Sequence, residues 1–282
     1  MNRSLLAVLY AFLASGLSGF TQTSSSRTYD IVIYGGTSAG VAAAVQVKRM
    51  GRSVVLIEPT QRLGGLTTGG LGQTDIGNKM VIGGISREFY QRIRTHYSDE
   101  KNWRWQGRDE YRDGGQSRTS ANEDSMWTFE PSAALKVMND LIRENDVPVV
   151  YGERLDLTAG VMLTRSKPWR IIGMRTESGR TFRGRMFIDA TYEGDLMAQA
   201  NVRYTVGREA NATYGETLNG VQTANARHHQ LVRGVDPYVI KGDATSGLLP
   251  GIDPQGPGIE GAADHRVQAY CFRMCLTDHP EN

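Results

Sequence analysis

The sequence predicts an α/β fold organised around a parallel β-sheet. Residues 31–34 form a short apolar run with β-branched side chains, which is typical of a buried parallel strand. A glycine pair ends this run, and residues 39–50, rich in Ala and Val, then predict a helix with cationic residues in its last turn. Residues 53–57 predict a second strand. Together these segments form a β-α-β unit, which we expect to be right-handed.

The remaining elements follow in chain order. Helices are predicted at residues 82–97 and 131–145, the second with Pro131 at its start. Buried strands are predicted at residues 147–151 and 186–188. Between these strands we expect a small antiparallel β-meander, built from residues 155–163, 169–177 and 181–183. Residues 236–264, rich in Gly, Pro and Asp, predict surface loop.

The turn after the first strand resembles a dinucleotide-binding fingerprint. It reads Gly35, Gly36, Thr37, Ser38, Ala39, Gly40, where the fingerprint requires Gly-x-Gly-x-x-Gly. Thr37 departs from the middle glycine. A turn without bulky side chains lets backbone N–H groups approach a pyrophosphate at the helix N-terminus. The motif therefore predicts a Rossmann-type FAD/NAD(P)-binding domain, in which the Thr37 hydroxyl is a further phosphate donor.

Glu58 supports this interpretation because it closes the second strand, eighteen residues after Gly40. An acidic residue at this place accepts hydrogen bonds from the ribose hydroxyls of adenosine. Its charge is wrong for binding a 2′-phosphate. The alternative is a β-α-β unit with tight turns and no nucleotide.

Several segments resemble FAD-dependent oxidoreductases related to glutathione reductase, in a bacterial branch where Thr at position 37 is usual. They are residues 29–58, Arg62-Leu63-Gly64-Gly65, the glycine-rich run 63–72, and the strand end that contains Asp189-Ala190-Thr191. The resemblance implies FAD as cofactor. It also implies that Arg62, Gly64 and Gly65 serve the adenosine and pyrophosphate side, and that Ala190 and Thr191 pass close to FAD. Members continue beyond residue 282, so we expect a C-terminally truncated chain.

These features predict the following organisation of the chain. Residues 1–26 are a signal peptide and linker, and residues 27–98 with 128–206 are the Rossmann-type domain. Residues 99–127 are an inserted loop or cap, and residues 207–282 begin a substrate or cap region.

The N-terminus predicts an exported protein, periplasmic or extracellular. Arg3 gives a positive start, and residues 5–17 are largely apolar but short for a bilayer span. Once the signal is removed, we expect no stable membrane association. An uncleaved anchor is the alternative.

The charge balance does not indicate nucleic acid as a partner, and we expect a small-molecule substrate. The net charge is +2, from 32 basic and 30 acidic residues, and no basic block stands out. We predict no metal site, because neither the pair Cys271 and Cys275 nor His228-His229 has further ligands at close spacing. The two cysteines are either buried thiols, which we favour, or a disulfide.

The sequence leaves the catalytic acid or base open. Five residues are candidates, and each also has a structural explanation, such as a turn cap, a helix surface or an ion pair: Asp75, Arg87, Tyr90, His265 and Arg273. The redox chemistry itself belongs to the flavin.

Three functions compete. The first is an FAD-dependent oxidoreductase that acts on an extracytoplasmic small molecule. The second is an NAD-dependent dehydrogenase, which would not need the Gly64-Gly65 loop. The third is a non-catalytic exported binding module, whose sequence would show an eroded glycine turn or lack Glu58, and this sequence shows neither. The oligomeric state, and whether 282 residues hold FAD alone, stay open.

Overall fold

We describe the fold from a computed structural model, which covers residues 27–74, 76–111, 123–226, 234–268 and 276–281. Several predictions lie outside these described residues. They are the signal segment 1–26, the candidates Asp75 and Arg273, the cysteines Cys271 and Cys275, and the pair His228-His229.

Six strands form one mixed sheet in the order β3-β2-β1-β6-β5-β4, and two further strands form a hairpin. The strands are β1 (Thr28–Tyr34), β2 (Val54–Glu58), β3 (Val149–Tyr151), β4 (Val161–Leu163), β5 (Ile171–Arg175), β6 (Thr181–Asp189), β7 (Tyr238–Ile240) and β8 (Asp243–Leu248). Strands β3, β2, β1 and β6 are parallel, whereas β6, β5 and β4 are antiparallel. The predicted parallel sheet and antiparallel meander are thus both present, joined in one sheet.

Five α-helices accompany the strands within the described residues. They are α1 (Ser38–Arg49), α2 (Gly84–His96), α3 (Pro131–Glu144), α4 (Asp195–Gln199) and α5 (Asn211–Tyr214). Helix α2 begins two residues later than predicted, because Gly83 is its N-cap and has extended backbone angles. Helix α1 carries Lys48 and Arg49 in its last turn, where cations are favourable to the helix dipole.

The core divides into two clusters because side chains alternate across the central strands. Ile33 and Leu56, both fully buried, belong to the cluster that includes the inward faces of α1, α2 and α3. Val32 and Ile57 belong to the other cluster, with Leu155 and other side chains of the meander region. The sheet is therefore covered on both faces, as expected for parallel strands.

Strand β6 joins two segments that the sequence predicted as separate, residues 181–183 and 186–188. Its first residues pair antiparallel with β5, while residues from Arg183 to Asp189 pair parallel with β1. Gly184 lies between the two segments, where an added Cβ would be 2.7 Å from Val32 Cγ2. The glycine and flanking arginines interrupt the apolar pattern but not the strand.

The region 236–264 contains the β7–β8 hairpin, so the prediction of surface loop throughout is wrong. The carboxylate of Asp236 accepts hydrogen bonds from the N–H groups of Tyr238 (2.8 Å) and Gly242 (2.7 Å). Gly242 has φ +82° in the tight turn between the two strands, a backbone angle that glycine adopts at low cost. The side-chain bonds of one aspartate thus organise a hairpin that has no apolar alternation.

Candidate functional site

The glycine turn lies between the carboxyl end of β1 and the N-terminus of α1, as predicted. Gly35 has φ +99°, and its N–H donates to the Ile57 carbonyl at 2.8 Å. A Cβ on Gly35 would lie 2.8 Å from the Ala190 carbonyl carbon and the Thr191 nitrogen. A Cβ on Gly40 would overlap the Gly35 carbonyl oxygen. Both positions therefore require glycine for close backbone packing.

Thr37 serves the fold of this turn. Its hydroxyl donates to the Ala190 carbonyl at 2.7 Å and accepts from the Gly40 N–H at 3.3 Å, which caps α1. Contrary to expectation, the hydroxyl has no second proton for a phosphate. Thr37 instead ties the turn to the end of β6, 153 residues away in sequence.

The N-terminus of α1 retains the properties of an anion site. The first turn contains no acidic side chain, and Ala39 is exposed there. The unpaired amides and positive dipole end of a helix of this length attract phosphate groups.

Glu58 is 6% exposed and links the glycine turn to the end of β2. One carboxylate oxygen accepts the Gly36 N–H at 2.7 Å, and the other accepts the Thr60 N–H at 2.6 Å. Each carboxylate oxygen can accept a second bond, so ribose hydroxyls can still be accommodated chemically. Tyr151 stands beside Glu58 in the sheet, and burial, with the Glu58 charge, raises the pKa of its phenol.

The second glycine pair packs against the first. The Gly64 N–H donates to the Gly36 carbonyl at 2.7 Å, and Ser38 Oγ donates to the Gly64 carbonyl at 3.0 Å. Ser38 Oγ also bonds Thr67 Oγ1 at 2.6 Å. Gly64 and Gly65 have φ +92° and +53°, so the loop uses conformations that favour glycine.

Arg62 folds back onto this loop. Its Nε and Nη2 donate to the Thr68 carbonyl at 3.0 and 2.5 Å. Three guanidinium N–H donors remain for a ligand. The structure thus gives Arg62 a part in holding the loop, in addition to the cofactor contact that the resemblance implies.

The end of β6 completes the site through Asp189, which the sequence did not mark as a functional residue. Its Oδ1 accepts the Thr191 hydroxyl (2.6 Å) and N–H (3.1 Å), and its Oδ2 accepts the Met197 N–H (3.0 Å). The Ala190 N–H donates to the Tyr34 carbonyl at 2.8 Å. Asp189 therefore fixes Ala190 and Thr191 beside the glycine turn. An Asp two residues before a Thr is a turn signal that could have indicated this role.

Three further catalytic candidates lie within the described residues, and one of them, Tyr90, lines a small cavity together with Ser38 of the glycine turn. Arg87 forms an ion pair with Asp124 and stands 5.3 Å from the centre of the Trp127 ring. Tyr90 is 8% exposed and shares a hydrogen bond with Thr74, and burial raises the pKa of its phenol. His265 is exposed. The hydrogen bond of Tyr90 and the ion pair of Arg87 are made with residues outside Gly35–Gly40, so these polar contacts do not identify the catalytic residue.

The inserted segment lines a cavity of about 860 Å³. Aromatic side chains in its wall include Tyr97, Trp103, Trp105, Tyr111 and Phe129. The ring centres of Tyr97 and Trp103 are 5.2 Å apart, and Trp103 Nε1 donates to the Tyr97 carbonyl at 2.9 Å. The cavity borders the end of the glycine-rich loop, where the Phe129 N–H donates to the Gly72 carbonyl at 2.8 Å.

The described residues contain neither a group of side chains suited to a metal ion nor a helix that could span a membrane. No group of three or more His, Cys, Asp or Glu side chains among them is arranged to hold a metal ion. No helix within these ranges has both the length and the apolar character needed to cross a membrane.

The fold and the glycine turn define a nucleotide-binding protein of the Rossmann type. The turn leaves backbone amides at a helix N-terminus, Glu58 ends the neighbouring strand, and Gly64-Gly65 pack alongside. Residues 30–282 match the model of the family described as FAD dependent oxidoreductase. The chain belongs to this family, whose cofactor is FAD.

Individual relatives match smaller parts of the chain. The FAD-dependent oxidoreductase dbaF of Emericella nidulans is 33% identical over 33% of this chain, which corresponds to 22% of that protein. The match thus spans about a fifth of the relative's length.

Solved structures overlap with the chain at low identity. The THI4 protein of Thermovibrio ammonificans is 13% identical with a TM-score of 0.43, over 69% of this chain and 73% of that one. The L-proline dehydrogenase of P. horikoshii is 13% identical with a TM-score of 0.41, over 65% and 59% of the two chains.

Proposed function

We propose that the chain is the FAD-binding part of an exported oxidoreductase that acts on a small molecule. The observation that carries this proposal is the glycine turn, where Gly35 and Gly40 leave no room for side chains in front of the α1 N-terminus. Family membership supports FAD over NAD as the nucleotide. Bound FAD supplies the redox chemistry by accepting or donating electrons at its ring.

The residues of the turn bind and orient the cofactor in this proposal. The α1 N-terminus receives the pyrophosphate, because Ala39 is exposed in its first turn and that turn contains no negative side chain. Glu58 receives the adenosine ribose through the acceptor positions left on its two oxygens. Gly64 and Gly65 form the neighbouring wall.

We further propose that the aromatic cavity of the inserted segment admits the substrate. Pockets for small molecules combine apolar and aromatic walls with few polar groups. Here Tyr97 and Trp103 provide aromatic faces, and Glu130 is held by the Tyr97 hydroxyl at 2.9 Å. Export is supported by the signal-like N-terminus alone.

A titration of the purified chain with FAD tests the proposal, read by the visible flavin absorbance that stays with the protein after free FAD is removed. The sharpest variant is Ala39→Glu. A carboxylate in the first turn of α1 favours the helix itself but repels a pyrophosphate. We expect unchanged unfolding and at least about tenfold weaker FAD binding, whereas the matched variant Ala39→Gln stays within about threefold of wild type.

A second pair of variants tests the shape of the turn. Gly40→Ala places a methyl group on the Gly35 carbonyl oxygen, which we expect to weaken FAD binding by about tenfold or more. Gly77→Ala is the control, because its Cβ meets nothing within 4 Å. A folded wild-type chain that retains no flavin would refute the proposal and favour a non-catalytic binding module.

A further inference from the structure

The turn after β6 presents Tyr192 to the loop of the second glycine pair. Asp189 holds Thr191 by two hydrogen bonds, and the Gly194 N–H donates to the Thr191 hydroxyl at 3.0 Å. These hydrogen bonds hold the backbone on both sides of Tyr192 independently of its side chain.

The phenol of Tyr192 lies on the loop formed by residues 64–67. Its hydroxyl oxygen accepts the Leu66 N–H at 2.8 Å, across 126 residues of sequence. A Cβ added to Gly65 would collide with that hydroxyl and would lie 3.1 and 3.2 Å from Cζ and Cε2 of the ring. The ring thus occupies the space that a side chain at position 65 would need.

The same loop is bound on its other edge to the first glycine turn. Gly64 donates to the Gly36 carbonyl, and Ser38 bonds both the Gly64 carbonyl and the Thr67 hydroxyl. Tyr192 connects the loop to the end of β6. The loop is thereby held between the two segments that border the α1 N-terminus.

We propose that Tyr192 is a positioning residue that latches the 64–67 loop for cofactor binding, an inference that rests on the proposed FAD site. Tyr192 is 61% exposed, so its ring is held by this contact and not by burial in the core. Holding the loop before the ligand arrives reduces the ordering cost of binding. Two contacts form the latch: the hydrogen bond from the Leu66 N–H to the Tyr192 hydroxyl, and the packing of the ring against Gly65. By holding the loop in place, these contacts raise the affinity for FAD.

The first test removes only the hydroxyl. In Tyr192→Phe the Leu66 N–H loses its acceptor, so we expect faster amide hydrogen exchange in the peptide containing residues 64–67 of the FAD-free protein. FAD affinity should fall between about twofold and tenfold, the range for one hydrogen bond. Tyr204→Phe is the control, because Tyr204 is exposed to a similar extent, 59%, and we expect no change in either measurement.

The second test uses the contact with Gly65. Gly65→Ala should weaken FAD binding because its methyl group displaces the phenol, and because φ is +53° there. In a background of Tyr192→Gly only the backbone cost remains. The double variant should therefore lose less affinity than the product of the two single losses.

Three results would overturn the latch: unchanged hydrogen exchange in Tyr192→Phe, tighter FAD binding in that variant, or losses that multiply in the double variant. Tighter binding would mean that the phenol blocks an amide that FAD needs. A wild-type chain that binds no FAD would remove the proposed function, yet the exchange comparison in the FAD-free protein would still decide whether the latch exists.

Discussion

Replacing Glu58 should destabilise the fold itself, even without cofactor. Its two carboxylate oxygens accept the Gly36 and Thr60 N–H groups at 2.7 and 2.6 Å. A buried amide that loses its only acceptor costs about 1–3 kcal/mol, and a partly hydrated amide costs less. The Gly36 bond is buried and the Thr60 bond is partly buried. We therefore expect Glu58→Ala to lower the free energy of unfolding by about 2–4 kcal/mol.

The conservative variant separates the two bonds. Glu58→Gln can keep its amide carbonyl on the buried Gly36 N–H and turn its NH2 group toward Thr60, whose amide water can reach. We expect a loss of about 1 kcal/mol, clearly smaller than for alanine. The order of the two variants is the specific result that the geometry predicts.

Urea unfolding of the FAD-free protein, followed by circular dichroism, measures both losses. Glu100→Ala is the control, because Glu100 has a 74% exposed side chain in a surface ion pair with Arg108. Such pairs contribute about 0–1 kcal/mol. If Glu58→Ala costs no more than Glu100→Ala, the two backbone bonds do not hold the turn, and the reasoning fails.

Two further predictions concern stability. Hydrogen bonding to Arg208 lowers the pKa of the Asp264 carboxyl to about 2. The contribution of this carboxylate to folding stability is therefore complete above its usual pKa of 3.8 and is lost as the pH falls toward about 2. Melting curves recorded from about pH 5 to about pH 2 test this: the Asp264→Asn variant should lose less stability on acidification than wild type. An equal loss in the two proteins would contradict the prediction. Trp127→Ala removes a fully buried ring, 4.3 Å from that of Tyr90, and should cost about 3–5 kcal/mol in urea unfolding. A cost below about 1 kcal/mol would contradict the prediction, because it would mean that neighbouring side chains fill the cavity left by the ring.

Local sequence patterns determined the central β-α-β unit. The apolar run before Gly35 and the Ala-rich segment after Gly40 specify a strand and a helix by composition and periodicity alone. The fingerprint spacing placed the turn between β1 and α1, and Glu58 at the end of β2. These features depend on neighbours in sequence, so they can be predicted without tertiary contacts.

Contacts between distant segments decided the rest. Thr37 donates to Ala190 and Tyr192 accepts from Leu66, and neither partner can be inferred from spacing, because each pair is more than a hundred residues apart. The continuity of β6 through Gly184 depends on pairing with β1 on one side and β5 on the other. The sequence by itself therefore determined which residues form the glycine turn. Only the tertiary structure decided which groups those residues bind, because a hydroxyl or amide takes whichever partner the packed sheet brings within reach.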